Sequence, residues 1–303
     1  MAKIISFGEA LIDLTPEGRS ALGNPIFSAN PGGAPANLSV MAAKLGTDVA
    51  FMGAVGTDAF GRQLKNALAA AKIDTSLIVD KPANTGLAIV QLDDRGERSF
   101  SFYRSPGADE LYSVDDLKED VLWNTSVFHY GTASFTSGSC REAIAKAIKI
   151  VKQSRGLISF DPNYRDFMWQ GREDEIKQII RDCIAAADLL KLSDNEADMI
   201  YGGHGEAEIA QSPATLTVFT LGEEGCLYKY NEKIEHVDTI KVTPVDTTGA
   251  GDAFWGATLA QYVAEFDDIS RMLRRANIAG ALTTTKKGTS SAFPTREEME
   301  EYL

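Results

Sequence analysis

Short apolar runs alternate with longer amphipathic segments along most of this 303-residue chain, and that rhythm admits few architectures. Lys3–Gly8, Val49–Val55, Ser126–Tyr130, Leu157–Phe160, Leu189–Leu192 and Leu216–Leu221 read as strands. Pro35–Lys44, Ala59–Ala71, Cys140–Lys152, Asp174–Ala186, Gly251–Ala264 and Ile269–Thr284 read as helices. Strands apolar on both sides suit a sheet covered on both faces, and an intervening helix permits parallel pairing. The expectation is an α/β fold: a doubly wound, mostly parallel sheet with helices on both faces. No repeat, low-complexity tract or linker divides the chain, so one domain over 1–303 is expected.

One region breaks the rhythm. Gly86–Leu92 and Arg98–Arg104 are β-rich runs joined by Asp93–Glu97, whose Asp-Arg-Gly turn predicts a hairpin. No helix separates them, so they leave the main sheet and, with Leu11–Ser28, form a small β-sheet lid. On the second run Phe100 and Phe102 share a face with Arg104, and Ser99, Ser101 and Tyr103 share the other. A small sheet is marginal unless one face is covered, here by substrate, by the main body or by a second subunit. Closure of the lid on a ligand and a homodimer through it are expected.

Two constellations carry chemistry. In Asp246-Thr-Thr-Gly-Ala-Gly-Asp252, three small residues precede a carboxylate and an apolar helix. Small residues let the backbone turn tightly and expose its N–H groups, and a helix N-terminus adds free donors and a positive dipole end. Together these make an anion cradle. A carboxylate there would repel a bound phosphate. Asp252 makes chemical sense as the base that takes a proton from a hydroxyl attacking a phosphoryl group. The alternative is that Asp252 caps the helix. The second constellation is Asn30-Pro-Gly-Gly-Ala-Pro-Ala-Asn37 with Asp13. Gly32 and Gly33 allow close backbone approach, Asn37 both donates and accepts, and Asp13 accepts, a mixture that suits sugar hydroxyls. The alternative is an ordinary loop in which Asn37 ties its helix to a neighbour.

Charge and cysteine usage exclude other classes. A net charge of −13 disfavours a nucleic-acid backbone as partner. Cys140, Cys183 and Cys226 are too far apart for a disulfide framework or zinc cluster and read as buried free thiols in a reducing cytoplasm. No apolar run reaches membrane length, and the N-terminus lacks the apolar stretch of a signal peptide. There is no P-loop, and Gly249-Ala-Gly251 lacks the third glycine of a dinucleotide fingerprint. His129, His204 and His236 lack metal-ligand spacing; His129 reads as a core residue and His204 as part of a loop.

At this point the residues resemble a family. Gly32-Gly-Ala-Pro-Ala-Asn-Leu-Ser39 followed by Gly46 and Gly56, and then Asp246–Asp252, are similar to the two signature motifs of the ribokinase-like (PfkB) carbohydrate kinases, in order and over essentially the whole chain. The resemblance implies a Rossmann-like fold with a lid and transfer of the ATP γ-phosphate to a sugar hydroxymethyl group. It implies Asp252 as base and Gly249, Ala250 and Gly251 as anion hole. It implies sugar contacts from Asp13, Gly32, Gly33, Asn37, Tyr103, Arg104, Asn163 and Arg165. Thr220, Gly222 and Gly225 look like the nucleotide loop, Asn277 like the residue near the adenine, and Lys191 and Ser193 lie where the family approaches the ATP phosphates. Glu196 resembles the acidic end of an element holding Mg2+ through water, with Ser193 where the family has Asn. Asp246, Thr248, Thr283, Lys286 and Gly288 resemble a monovalent-cation (K+) site, with Ala292 where a Ser ligand is common.

Within the family, Gly8-Glu-Ala-Leu-Ile-Asp13, Phe102–Asp109 and Phe160-Asp-Pro-Asn-Tyr-Arg165 resemble fructokinases. The alternatives are a 2-keto-3-deoxygluconate kinase, in which Arg104 or Arg165 would pair with a carboxylate, a riboside kinase, or a silent sugar or nucleotide sensor on the same fold.

Overall fold

The computed structural model describes residues 2–92, 98–104, 106–264 and 266–303. The expected turn at 93–97 and the side chains of Ser99 and Phe100 lie outside the described residues.

A sheet of nine strands forms the centre. In chain order its strands are β1 (Ile4–Phe7), β4 (Val49–Gly56), β5 (Ile78–Lys81), β8 (Val127–Tyr130), β9 (Leu157–Phe160), β10 (Leu189–Ser193), β11 (Leu216–Thr220), β12 (Cys226–Tyr230) and β13 (Lys233–Val237). The spatial order is β13-β12-β11-β10-β9-β8-β1-β4-β5. From β11 to β5 every pairing is parallel, and the hairpin β12–β13 closes one edge antiparallel. β1 and β4 are buried along their whole length, as continuous apolar runs in a doubly covered sheet must be.

The helices are α1 (Ala34–Lys44), α2 (Ala59–Ala70), α3 (Glu119–Trp123), α4 (Gly138–Gln153), α5 (Glu173–Ala186), α6 (Asp194–Tyr201), α7 (Glu206–Ile209), α8 (Ala250–Val263), α9 (Ile269–Thr283) and α10 (Arg296–Glu300). α8 is apolar all round because α1 and α9 pack against it, so that Phe254, Trp255 and Leu259 are all buried. Two apolar cores result. One holds Trp255 with α1, α8 and α9; the other holds Phe128, Trp169 and the inner faces of α4 and α5.

The lid is a separate sheet of four strands, β3 (Pro25–Gly32), β2 (Leu11–Arg19), β6 (Leu87–Leu92) and β7 (Arg98–Tyr103), in that order. β2 pairs in parallel with β6 and antiparallel with β3. Its N-terminal part therefore runs to Gly32, beyond the expected end at Ser28. Phe102 stacks on Phe167 of the main body with ring centroids 4.7 Å apart, so the body supplies the cover for this ring.

β1 is the switch point: its neighbours are β4 on one side and β8 on the other, and strand order runs outward in both directions. Ligands of open parallel sheets bind beyond the carboxyl ends of strands at such a point. Gly8–Asp13, Gly131–Thr132, Asp161–Arg165 and Ser193–Glu196 all leave the sheet at carboxyl ends.

Candidate active site

Asp252 is the third residue of α8, whose N-cap is Gly249. Its carboxylate does not cap this helix. Asn37 Nδ2 donates to Oδ2 at 2.8 Å, and Asn163 Nδ2 approaches Oδ1 at 3.4 Å. Asn37 comes from α1 and Asn163 from the loop after β9, so three elements meet at one carboxylate. Burial pushes the Asp252 carboxyl up to about 6; the Asn37 bond opposes the rise, Asp161 adds to it, and Lys191 and Arg165 oppose it. Asp13 is pushed up to about 7, first by burial, then by the facing charge of Asp252, with Arg165 opposing. Asp252 and Asp13 thus face two asparagine amides and the cations Arg165 and Lys191, a mixture that accepts protons from hydroxyls and donates to them.

The glycines here have steric reasons. Gly249 has φ +81°, and a Cβ on it would stand 2.6 Å from Thr289 Cγ2. Gly32 lies flat against Asp13, where a Cβ would fall 2.1 Å from Oδ2.

Lys191 and Asp161 form a buried ion pair at 3.0 Å beneath the cradle. A Cβ on Gly251 would lie 3.2 Å from Lys191 Nζ, so the ammonium borders the turn and its positive charge is held there by Asp161. His129 lies below, with Nδ1 3.0 Å from Ser159 Oγ; burial, then the Lys191 charge, pushes it down to about 3, which leaves it neutral as a core residue. His204 pairs with Asp198 on the surface at 2.7 Å.

On the other side of Ala250 and Gly251 lies a cavity of 780 Å³, bordered by Thr220, Gly222, Gly225, Phe254 and Asn277. Its volume suits a nucleotide. The Asn277 side chain is already committed, since Nδ2 donates to the Val237 carbonyl at 2.9 Å. Ser193 and Glu196 form a capping box on α6, and Glu196 accepts from Tyr164 N, Ser193 N and Ser193 Oγ. Oε2 takes both Ser193 bonds, whereas Oε1 takes only the Tyr164 N–H and keeps a lone pair that a hydrated cation would meet. Of the expected monovalent-cation residues, Asp246 accepts from the backbone N–H of Thr248 at 2.9 Å and of Gly288 at 3.3 Å. Lys286 turns to Glu298, and Thr283 Oγ1 donates to the Ala279 carbonyl.

Two lid residues differ from expectation. The Arg104 guanidinium is buried in an ion pair with Asp109, its Nε 3.4 Å from Oδ1, so its charge is spent inside the protein. Tyr103 is 62% exposed, and no hydrogen bond among the described residues ties it to the cleft. Arg165 is exposed, and its charge faces Asp13 and Asp252. Sequence reasoning missed Glu9 and Asp161, both buried carboxylates within segments it had singled out. Their signal is a carboxylate one or two residues past the carboxyl end of a strand.

Known proteins match this geometry. The profile of the pfkB family carbohydrate kinases matches residues 1–296. "Probable fructokinase-2" of Arabidopsis thaliana is 41% identical, with 99% of this chain and 95% of that one covered. A fructokinase from Xylella fastidiosa with bound ATP superposes with a TM-score of 0.90 at 32% identity, covering 99% of this chain and 98% of that one. A fructokinase from Vibrio cholerae with fructose, ADP and calcium bound gives 0.89 at 31% identity, covering 100% and 99%. This chain belongs to the pfkB family of carbohydrate kinases.

Proposed function

We propose that this chain transfers the γ-phosphoryl group of ATP to the hydroxymethyl group of fructose, with Asp252 as general base. The observation that carries the reading is the Asp252 carboxylate, buried where the cradle of α8 meets Asn37 and Asn163. The nucleotide occupies the 780 Å³ cavity, and the sugar lies between Asp13, Asn37, Asn163 and Arg165. Asp252 takes the hydroxyl proton as the oxygen attacks. The backbone N–H groups of Gly249–Gly251 and the Lys191 ammonium stabilise the charge on the transferring group. Glu196 would hold Mg2+ through water, and the ion would supply charge neutralisation on the phosphates. Asp109 occupies Arg104, and the charge of Arg165 already faces Asp13 and Asp252, which favours a neutral ketose over a keto acid. The loop of Asp246 and Gly288 is the candidate monovalent-cation site, tested by comparing rates in K+ and Na+.

The enzyme acts in the cytoplasm, where its three buried free thiols persist reduced. It works as a homodimer through the lid, whose exposed Phe27 and Tyr103 share one face and whose outer strands β3 and β7 are edges.

Asp252→Asn tests the base. We expect kcat to fall by about 10²–10⁴ with little change in KM. The melting temperature should hold or rise. The folded state keeps the Asp252 proton up to about 6, against 3.8 for the free group, so ionising it above that pH works against folding. Near-normal turnover would refute the base. ADP release with 2-keto-3-deoxygluconate exceeding that with fructose would replace the substrate and leave the kinase intact.

A further inference from the structure

Helix α1 carries Asn37, the closest hydrogen-bond partner of Asp252, yet it has no cap of its own. Its N-cap is Gly33, which has no side chain and whose φ is +104°. The missing partner comes from outside the helix. Glu9, in the segment after β1, accepts from the Ala34 N–H through Oε1 at 3.1 Å. The two segments are pressed together there: a Cβ on Gly33 would stand 2.3 Å from the Glu9 carbonyl oxygen. Oε2 is buried without a hydrogen-bond partner among the described residues, in a residue that borders a 10 Å³ cavity also lined by Asn163 and Asp252. A buried acceptor left open beside a reacting carboxylate calls for a functional explanation.

We propose that Glu9 is a positioning residue for the phosphoryl-transfer base: by capping α1 from outside, it sets the start of the helix and so holds Asn37 against Asp252. An acidic group at a helix N-terminus also complements the dipole. The arrangement reaches the lid: burial pushes the Glu9 carboxyl up to about 7, and the Arg104 charge at the end of β7 opposes that rise while Asp109 adds to it. This inference rests on Asp252 being the base.

The Asn37 bond lowers the pKa of Asp252. Anything that loosens Asn37 should therefore move the acid limb of kcat/KM to higher pH, with Asp13, Asp161, Arg165 and Lys191 facing Asp252 unchanged. Glu9→Met fills the space but offers no acceptor at the Ala34 N–H. We expect it to lower kcat by about tenfold, the scale of one hydrogen bond, and to raise the acid limb as Asn37→Ala does. The double variant should be no worse than Asn37→Ala alone. Glu9→Gln keeps an acceptor oxygen and should restore most of kcat. Should Glu9→Met fail to fold, Ala34→Pro removes the donor at a position where proline is tolerated and should give the same shift. A wild-type pH profile in Glu9→Met or Ala34→Pro, additive effects with Asn37→Ala, or a Glu9→Gln variant as impaired as Glu9→Met would overturn the proposal. Asp252→Asn measured alongside separates the two readings: if it is inactive while the Glu9 variants behave as wild type, only the role of Glu9 fails, and if it is active the base itself is misassigned.

Discussion

Helices α1 and α8 begin alike and serve differently. Each has a glycine N-cap at positive φ and no side-chain cap, so each presents unpaired N–H groups and a positive dipole end. At α1 the chain supplies the acceptor: Glu9, whose carboxyl burial pushes up to about 7, accepts from the Ala34 N–H. At α8 the Thr247 carbonyl takes the Ala250 N–H, and no carboxylate among the described residues caps the turn. Asp252 sits inside the first turn but faces Asn37 and Asn163, and the charge bordering the turn is the Lys191 ammonium. α6 shows the ordinary solution, a Ser193–Glu196 capping box. A helix N-terminus becomes a ligand site where the fold withholds an internal partner, and glycine at the N-cap is compatible with either outcome.

The largest expected effect lies on the α1 side and concerns the fold. Arg104→Ala leaves Asp109 buried without its cation, which costs about 3–5 kcal/mol. Urea unfolding should show that loss, with the KM for fructose of the folded fraction changing less. Unaltered stability with a steep rise in KM would make Arg104 a sugar ligand instead. On the α8 side, Gly249→Ala forces a methyl group against Thr289 and misaligns the donors. Turnover should fall by about 10²–10³, the scale for losing one oxyanion donor. Gly33→Ala meets the Glu9 carbonyl instead and should cost about 1–3 kcal/mol of stability, with turnover per folded molecule falling less than in Gly249→Ala. If the two glycine variants exchanged their effects, the division of labour between the helices would be wrong.

Much of this was legible in the sequence because it depends on local pattern. The parallel strands β1, β4, β8, β9, β10 and β11 and helices α1, α2, α4, α5, α8 and α9 follow the expected segments to within a few residues. The hairpin β12–β13 was not expected, although Asn231, at φ +53° between alternating runs, is the turn signal that marks it. Edge strand β5 is half-buried and lacks a continuous apolar run. In the site, spacing led to Asp252 and Asn37, and the fold brings them together across 215 residues. The engagement of Arg104 by Asp109 was not legible, because a guanidinium five residues from a carboxylate reads equally as a ligand or as a buried pair. Glu9 escaped notice for a related reason: its partner is a backbone N–H on another element, which no spacing along the chain reveals.

The ratio of wild-type to Asp252→Asn kcat/KM for fructose, followed across pH, tests the central claim most directly, because the substitution removes one titrating carboxyl and keeps its shape, while Asp13, freed of the Asp252 charge that helps to push it up, titrates lower in the variant. Burial raises the Asp252 carboxyl to about 6, so the base is protonated and idle below that pH and ionised above it. The account predicts a ratio that climbs about tenfold per pH unit on the acid side and levels off above about 6, at roughly 10²–10⁴. A ratio that stays flat across the range, or one near unity on the plateau, would contradict it.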